Sequence, residues 1–253
     1  MQKDSNSIKE PTPEALSLKN LKVKIFSDGA DMDSILEAQS AGIVSGFTTN
    51  PTLMAKAGVS GYMTFAREVL NRVRDLPFSF EVFSDEMRGM KEQAMVLHNL
   101  AKNVYVKVPV TNTRSESTAG VIRELAAKGV KLNVTAIMSL RQVEEVAAAL
   151  SPETPSIVSV FAGRIADTGR DPIPLMREAK AMLAHLPKAE LLWASPREVL
   201  NIVQADQIGC DIITVTPDLL AKSKNLGRDL DDFSLDTVKM FYNDACKSNF
   251  YIV

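Results

Sequence analysis

Residues 104–110 read Val-Tyr-Val-Lys-Val-Pro-Val, and their alternation decides how the chain is built. Successive strand residues point to opposite faces, so Val104, Val106, Val108 and Val110 form one set and Tyr105, Lys107 and Pro109 the other. The valines suit a face covered by helices, which leaves Lys107 on the inner face. The same parity sorts the neighbouring β-rich runs. In residues 78–83 Phe78, Phe80 and Val82 part from Ser79, Glu81 and Phe83. In residues 131–137 Leu132, Val134 and Ala136 part from Asn133 and Thr135. In residues 156–163 Val158, Val160 and Ala162 part from Ile157, Ser159 and Phe161, while residues 46–50 place Thr48 and Asn50 inside together.

Eight such runs recur, at 21–28, 46–50, 78–83, 104–110, 131–137, 156–163, 190–195 and 211–216. Between them lie segments with apolar residues at helical spacing, such as Val121, Leu125 and Ala126 or Val143, Val146, Ala147 and Leu150. Strand then helix, eight times over, predicts an α/β protein built as a single (β/α)8 TIM barrel. A doubly wound open sheet is the competitor, but no glycine-rich phosphate fingerprint follows the first run. The expected organisation is an N-terminal extension over 1–20 and a barrel catalytic domain over 21–253, closing with a C-terminal helix and apolar tail. A length of 253 residues matches the usual barrel of about 250.

A formal net charge of -2 provides no basic footprint for nucleic acid or an anionic membrane surface. No apolar run approaches a membrane span, and the first twenty residues lack the apolar core of a signal peptide. The expectation is a soluble, cytoplasmic protein. Two cysteines, Cys210 and Cys246, and two histidines are too few for a metal cluster or a disulfide framework, so neither metal nor cofactor is expected.

Barrel interiors that serve only as scaffold are filled mostly by branched apolar side chains. Lys, Glu, Asn, Thr and Ser converging near strand C-termini instead suggest an active site. A buried lysine tends to shed its proton and become a nucleophile; the alternative is a structural lysine paired with a carboxylate. Asp28 ends the first run where a carboxylate could move a proton, or it closes a turn or caps the next helix. Glu81 could hold a water or simply pair with Lys107. Thr135 and Asn133 could position water and hydroxyls, or satisfy nearby backbone. Arg164 follows the sixth run, and Ser195 and Arg197 follow the seventh before a helix. Together they suit a phosphate dianion, although each arginine alone fits a surface ion pair.

The motifs GFTTNPTLM, VYVKVPVT, LNVTAIMS, SVFAGRI and WASPREV, in this order between Lys22 and Phe241, resemble the transaldolase family, including its short members and the fructose 6-phosphate aldolases. The resemblance implies that Lys107 is a Schiff-base lysine on the fourth strand and Asp28 the principal proton-transfer carboxylate, with Glu81 and Thr135 positioning water. Asn50, Asn133 and Ser159 would contact the dihydroxyacetone end, and Ser195, Arg197 and Arg164 the phosphate of a phosphorylated sugar. Transferases of this family usually carry Glu and Phe where this chain has Glu81 and Phe161; the aldolases tend to carry Gln and Tyr. The resemblance therefore implies a transaldolase, with a lyase or a non-catalytic phosphosugar-binding barrel as alternatives. It also implies a homo-oligomer of open subunit number. The chain departs from many relatives in SDGAD, where they have a hydroxyl or amide beside the Asp, and in its N-terminal extension.

Overall fold

The computed structural model describes residues 17–248 and 250–252. Most of the expected N-terminal extension therefore lies outside the described residues. From Lys24 onward the order is β1 (Lys24–Asp28), α1 (Met32–Ser40), β2 (Gly46–Thr48), α2 (Pro51–Lys56), α3 (Tyr62–Arg72), β3 (Phe78–Glu81), α4 (Met87–His98), β4 (Val104–Pro109) and α5 (Ala119–Ala127). It continues with β5 (Leu132–Ile137), α6 (Leu140–Ala147), β6 (Ser156–Val160), α7 (Ala162–Ala166), α8 (Ile173–Met182), β7 (Ala189–Trp193), α9 (Leu200–Gln207), β8 (Ile212–Val215) and α10 (Pro217–Lys222). The eight strands are parallel and close in sequence order, with β1 paired to both β2 and β8. This is the (β/α)8 barrel that the alternation predicts.

Local chemistry sets the connections. Pro51 opens α2, and the Asn50 side chain caps it by accepting from Leu53 N at 2.9 Å. A capping box joins Ser139 and Gln142 at the start of α6, whose Val143, Val146 and Ala147 turn into the core. The outer strand face is mostly apolar: Val106, Val108, Val134, Val158 and Val160 are fully buried. Alternation fails at two expected positions, the first of them Ala136. A register shift between Val134 and Ile137 puts Ala136 at a φ of 63°, in the left-handed region, and turns Ile137 into the core. Ala162 also leaves the expected strand pattern, because the chain bends at Phe161 and Ala162 opens α7.

Inside the barrel the strands contribute an apolar floor. Phe26, Tyr105, Ile157, Leu192 and Ile212 form one cluster with Ala194, and Phe161 packs against it. Each lies two residues before a polar one, namely Asp28, Lys107, Ser159 or Thr214, apart from Leu192, which precedes Ala194. Gly46 makes this floor possible. A Cβ there would sit 2.5 Å from Cζ of the Phe26 ring. Gly46→Ala is expected to destabilise the barrel by about 1–3 kcal/mol, the cost of overpacking. Chemical unfolding measures it, and Phe26→Leu in the same chain should recover part of the loss. A full-strength Gly46→Ala protein would mean that the floor yields without strain.

The described residues fall into two compact units: 22–222, which holds the barrel, and 17–21 with the C-terminal residues from 223. The second contains α11 (Leu230–Ser248), whose start is capped by Asp229 accepting from Asp231 N and Asp232 N at 2.9 and 3.0 Å. Arg228 pairs with Asp236, eight residues on, and lies 4.7 Å from the centroid of the Phe233 ring. Among the described residues no helix is long and apolar enough to cross a membrane.

Candidate active site

A cavity of about 80 Å³ opens at the C-terminal ends of the strands. It is lined by Asp28, Thr48, Asn50, Lys107, Asn133, Thr135, Ser159, Phe161, Arg164, Leu192, Ala194, Ser195 and Thr214. Strand register explains the company Lys107 keeps: Glu81 on β3 and Asn133 on β5 are its direct partners in the sheet and share its face. The Lys107 ammonium donates to Thr49 O at 3.0 Å and stands 3.5 Å from Glu81 Oε2. Lys107 is thus both in the cavity and paired with a carboxylate.

Asp28 ends β1 across from Thr48. Its Oδ1 accepts from Thr48 Oγ1 at 2.7 Å. Burial pushes the Asp28 carboxyl above its ordinary range, while the Lys107 charge and then the Thr48 hydrogen bond pull it down; burial prevails. Asp28 does not cap α1. Asp31 does, accepting from Ser34 N at 2.9 Å. The Asp28 carboxylate is therefore left to the cavity.

Opposite Asp28, Ser159 Oγ donates to Asn133 Oδ1 at 2.7 Å, and Asn133 Nδ2 donates to Ser79 Oγ at 3.0 Å. These bonds fix the amide of a side chain that is wholly buried. Asn50 spends its carbonyl oxygen on the α2 cap, so its NH2 group is the part left for the cavity. Thr135 is buried in the same wall, and its backbone carbonyl accepts from Val110 N at 3.0 Å.

Arg164 and Ser195 line the same cavity, and their segments pack closely because Gly163 has no side chain: a Cβ at Gly163 would lie 1.6 Å from Ser195 O. Ser195 itself holds a left-handed φ of 56°. The Arg164 guanidinium sits 5.6 Å from the centroid of the Phe161 ring. Two expected features differ. Arg197 does not line the cavity; its Nε donates to Asp167 Oδ1 at 2.9 Å and its Nη2 to Asp167 Oδ2, and this pair raises the arginine and lowers the aspartate. The helix expected right after Ser195 starts only at Leu200, so its N-terminus is not part of the cavity wall.

Glu81 also lies outside the cavity lining, in an adjoining groove of about 360 Å³ with Tyr62, Met63, Phe83, Glu92, Gln93, Val96 and Leu97. Tyr62 clamps it: the phenol accepts from Glu81 N at 2.9 Å and donates to Glu81 O at 2.8 Å. Sequence reasoning missed Tyr62, which sits on α3 with no local signal of its target. It also missed Thr214, whose alternation with Ile213 and Val215 could have placed it inside.

Fold and site together define a β/α-barrel protein whose buried lysine, flanking carboxylates and basic rim occupy the strand C-termini. The family described as Transaldolase/Fructose-6-phosphate aldolase matches residues 25–250, and the chain belongs to it. A probable transaldolase of Caldicellulosiruptor saccharolyticus is 36% identical over 198 residues, covering 76% of this chain and 85% of that one. A probable transaldolase of Methanococcus maripaludis is 35% identical over 204 residues, covering 80% and 90%. Among solved structures, the 3-keto-L-gulonate-6-phosphate decarboxylase of Vibrio cholerae superposes with a TM-score of 0.52 at 12% identity, over 78% of this chain and 88% of that one. That likeness extends to the fold alone.

Proposed function

We propose that this transaldolase-family protein is a Schiff-base transaldolase, moving a dihydroxyacetone unit from a ketose phosphate such as fructose 6-phosphate to an aldose phosphate. The observation that carries the reading is Lys107, an amine held in a polar cavity between Glu81 and Asn133 with Asp28 in the opposite wall. In the neutral state Lys107 Nζ attacks C2 of the ketose. Glu81 and Thr135 position the water lost as the carbinolamine becomes a protonated imine. Asp28 then takes the proton of the C4 hydroxyl, the C3–C4 bond breaks, its electron pair passes into the imine, and the aldose phosphate leaves. The enamine stays on Lys107 until a second aldose phosphate accepts it by the reverse path, with Asp28 returning the proton. A carboxyl whose proton affinity is raised by burial suits a group that must both take and give.

Asn50, Asn133 and Ser159 would hold the dihydroxyacetone hydroxyls. Arg164 and Ser195 would meet the phosphate, joined by Arg197 if it exchanges Asp167 for the substrate. Two features favour transfer over simple cleavage. Phe161 brings no hydroxyl to the cavity, and the Tyr62 phenol is spent on the Glu81 backbone. A group able to protonate the enamine early is thus absent from these two positions.

Borohydride reduction in the presence of fructose 6-phosphate, followed by intact mass and peptide mapping, tests the reading. A dihydroxyacetone-sized adduct on Lys107 is expected. An adduct on another lysine, or none, overturns the assignment. Product analysis without an acceptor aldose then separates the two chemistries: free dihydroxyacetone accumulating at the transfer rate would make the protein a lyase.

A further inference from the structure

Thr48 Oγ1 has one proton, and it is committed to Asp28 Oδ1 at 2.7 Å. The same oxygen lies 2.5 Å from Thr214 Oγ1 on β8. With the Thr48 proton used, the hydrogen between the two threonines has to come from Thr214. The hydroxyls therefore run in one direction, Thr214 to Thr48 to Asp28, and all three residues line the cavity. We propose that Thr214 is a positioning residue for the Asp28 carboxylate, acting through Thr48 as the first donor of a two-hydroxyl chain. Its bearing on turnover rests on the proton-transfer role given to Asp28 above.

Closing the barrel is what creates the chain. β1 lies between β2 and β8, so Thr48 and Thr214 flank Asp28 from either side while being 166 residues apart. Both threonines are buried, which limits the water that can compete for their hydroxyls. Each donation polarises the next, and the gain falls on the ionised form of the acceptor at the end. Asp28 faces opposing demands: burial favours its protonated form, and Lys107 from β4 favours the carboxylate. The Lys107 charge is partly answered by Glu81 from β3, and Arg164 after β6 completes the charged lining around the cavity. The hydroxyl chain adds a pull toward the carboxylate that no charged group at the site has to supply.

The Asp28 titration read by 13C-carboxyl NMR tests this, with Asp28→Asn assigning the signal. Thr214→Val is expected to raise the Asp28 midpoint by about half a pH unit, roughly a threefold change in its dissociation constant, and Thr48→Val by about one unit or more. Thr214→Ser, which keeps the hydroxyl, should restore the wild-type midpoint. Should Thr214→Val not fold, Thr214→Ala carries the comparison. Midpoints in Thr214→Val or Thr214→Ala that coincide with wild type would overturn the chain. The acid limb of the turnover profile should follow the midpoint. A midpoint that moves while the limb stays leaves the chain standing and removes Asp28 from proton transfer.

Discussion

Replacing Lys107 with methionine is expected to lower turnover by roughly 10^6-fold, the lower end of the range by which enzymes exceed the uncatalysed reaction. A side chain of similar length without the amine removes the covalent route altogether, and no other lysine among the described residues lines the cavity. The borohydride adduct should vanish with it. The substitution also takes the donor from the Thr49 carbonyl and the cation from Glu81, 3.5 Å away, so the melting temperature should fall. Because the Glu81 side chain keeps 22% of its exposure, water softens that loss, and adding Glu81→Gln should recover much of it. Steady-state transfer assays and thermal melts measure both effects. Residual turnover within about tenfold of wild type would show that Lys107 is not the nucleophile, whatever its place in the cavity.

Asp28→Asn should separate chemistry from stability. Without a carboxylate to take the C4 hydroxyl proton, turnover is expected to fall by about 10²–10⁴-fold, the usual contribution of a positioned base, while the trapped Schiff base still forms on Lys107. Stability should move the other way. The folded protein holds the Asp28 proton more tightly than the unfolded chain does, since burial raises its pKa from 3.8. As pH rises through the window between the unfolded value and the raised folded one, the wild type therefore loses stability that it has in acid. Asparagine bears no such cost. At neutral pH the variant should melt above the wild type, and below about pH 3.8 the two should converge. Equal melting temperatures at pH 7 would mean that Lys107 and Thr48 fully offset the burial. Loss of the adduct together with turnover would place Asp28 in imine formation instead.

Much of the barrel was legible because a strand alternates with a period of two. Val104, Val106 and Val108 against Tyr105, Lys107 and Pro109 is a pattern that only one parity satisfies, and the same logic placed Asn133, Thr135 and Ser159 on the cavity wall. Asn50-Pro51 announced its own helix start through local capping chemistry. Where alternation broke, at Ala136, the cause was a backbone choice that the flanking residues do not signal: a left-handed residue at a register shift.

By itself the sequence determined the order of strands and helices, the inward parity of five of the strands and the chemical types gathered at one end. These depend on near neighbours along the chain, where sterics, alternation and capping act. The tertiary structure alone decided who meets whom. It put Arg164 into the cavity and Arg197 onto Asp167, brought Tyr62 from α3 to clamp Glu81, and joined Thr214 to Thr48 and Asp28 by closing β8 against β1. Hydrogen bonds and ion pairs reach only about 3 Å, and residues so far apart in sequence come within that range only once the barrel has closed.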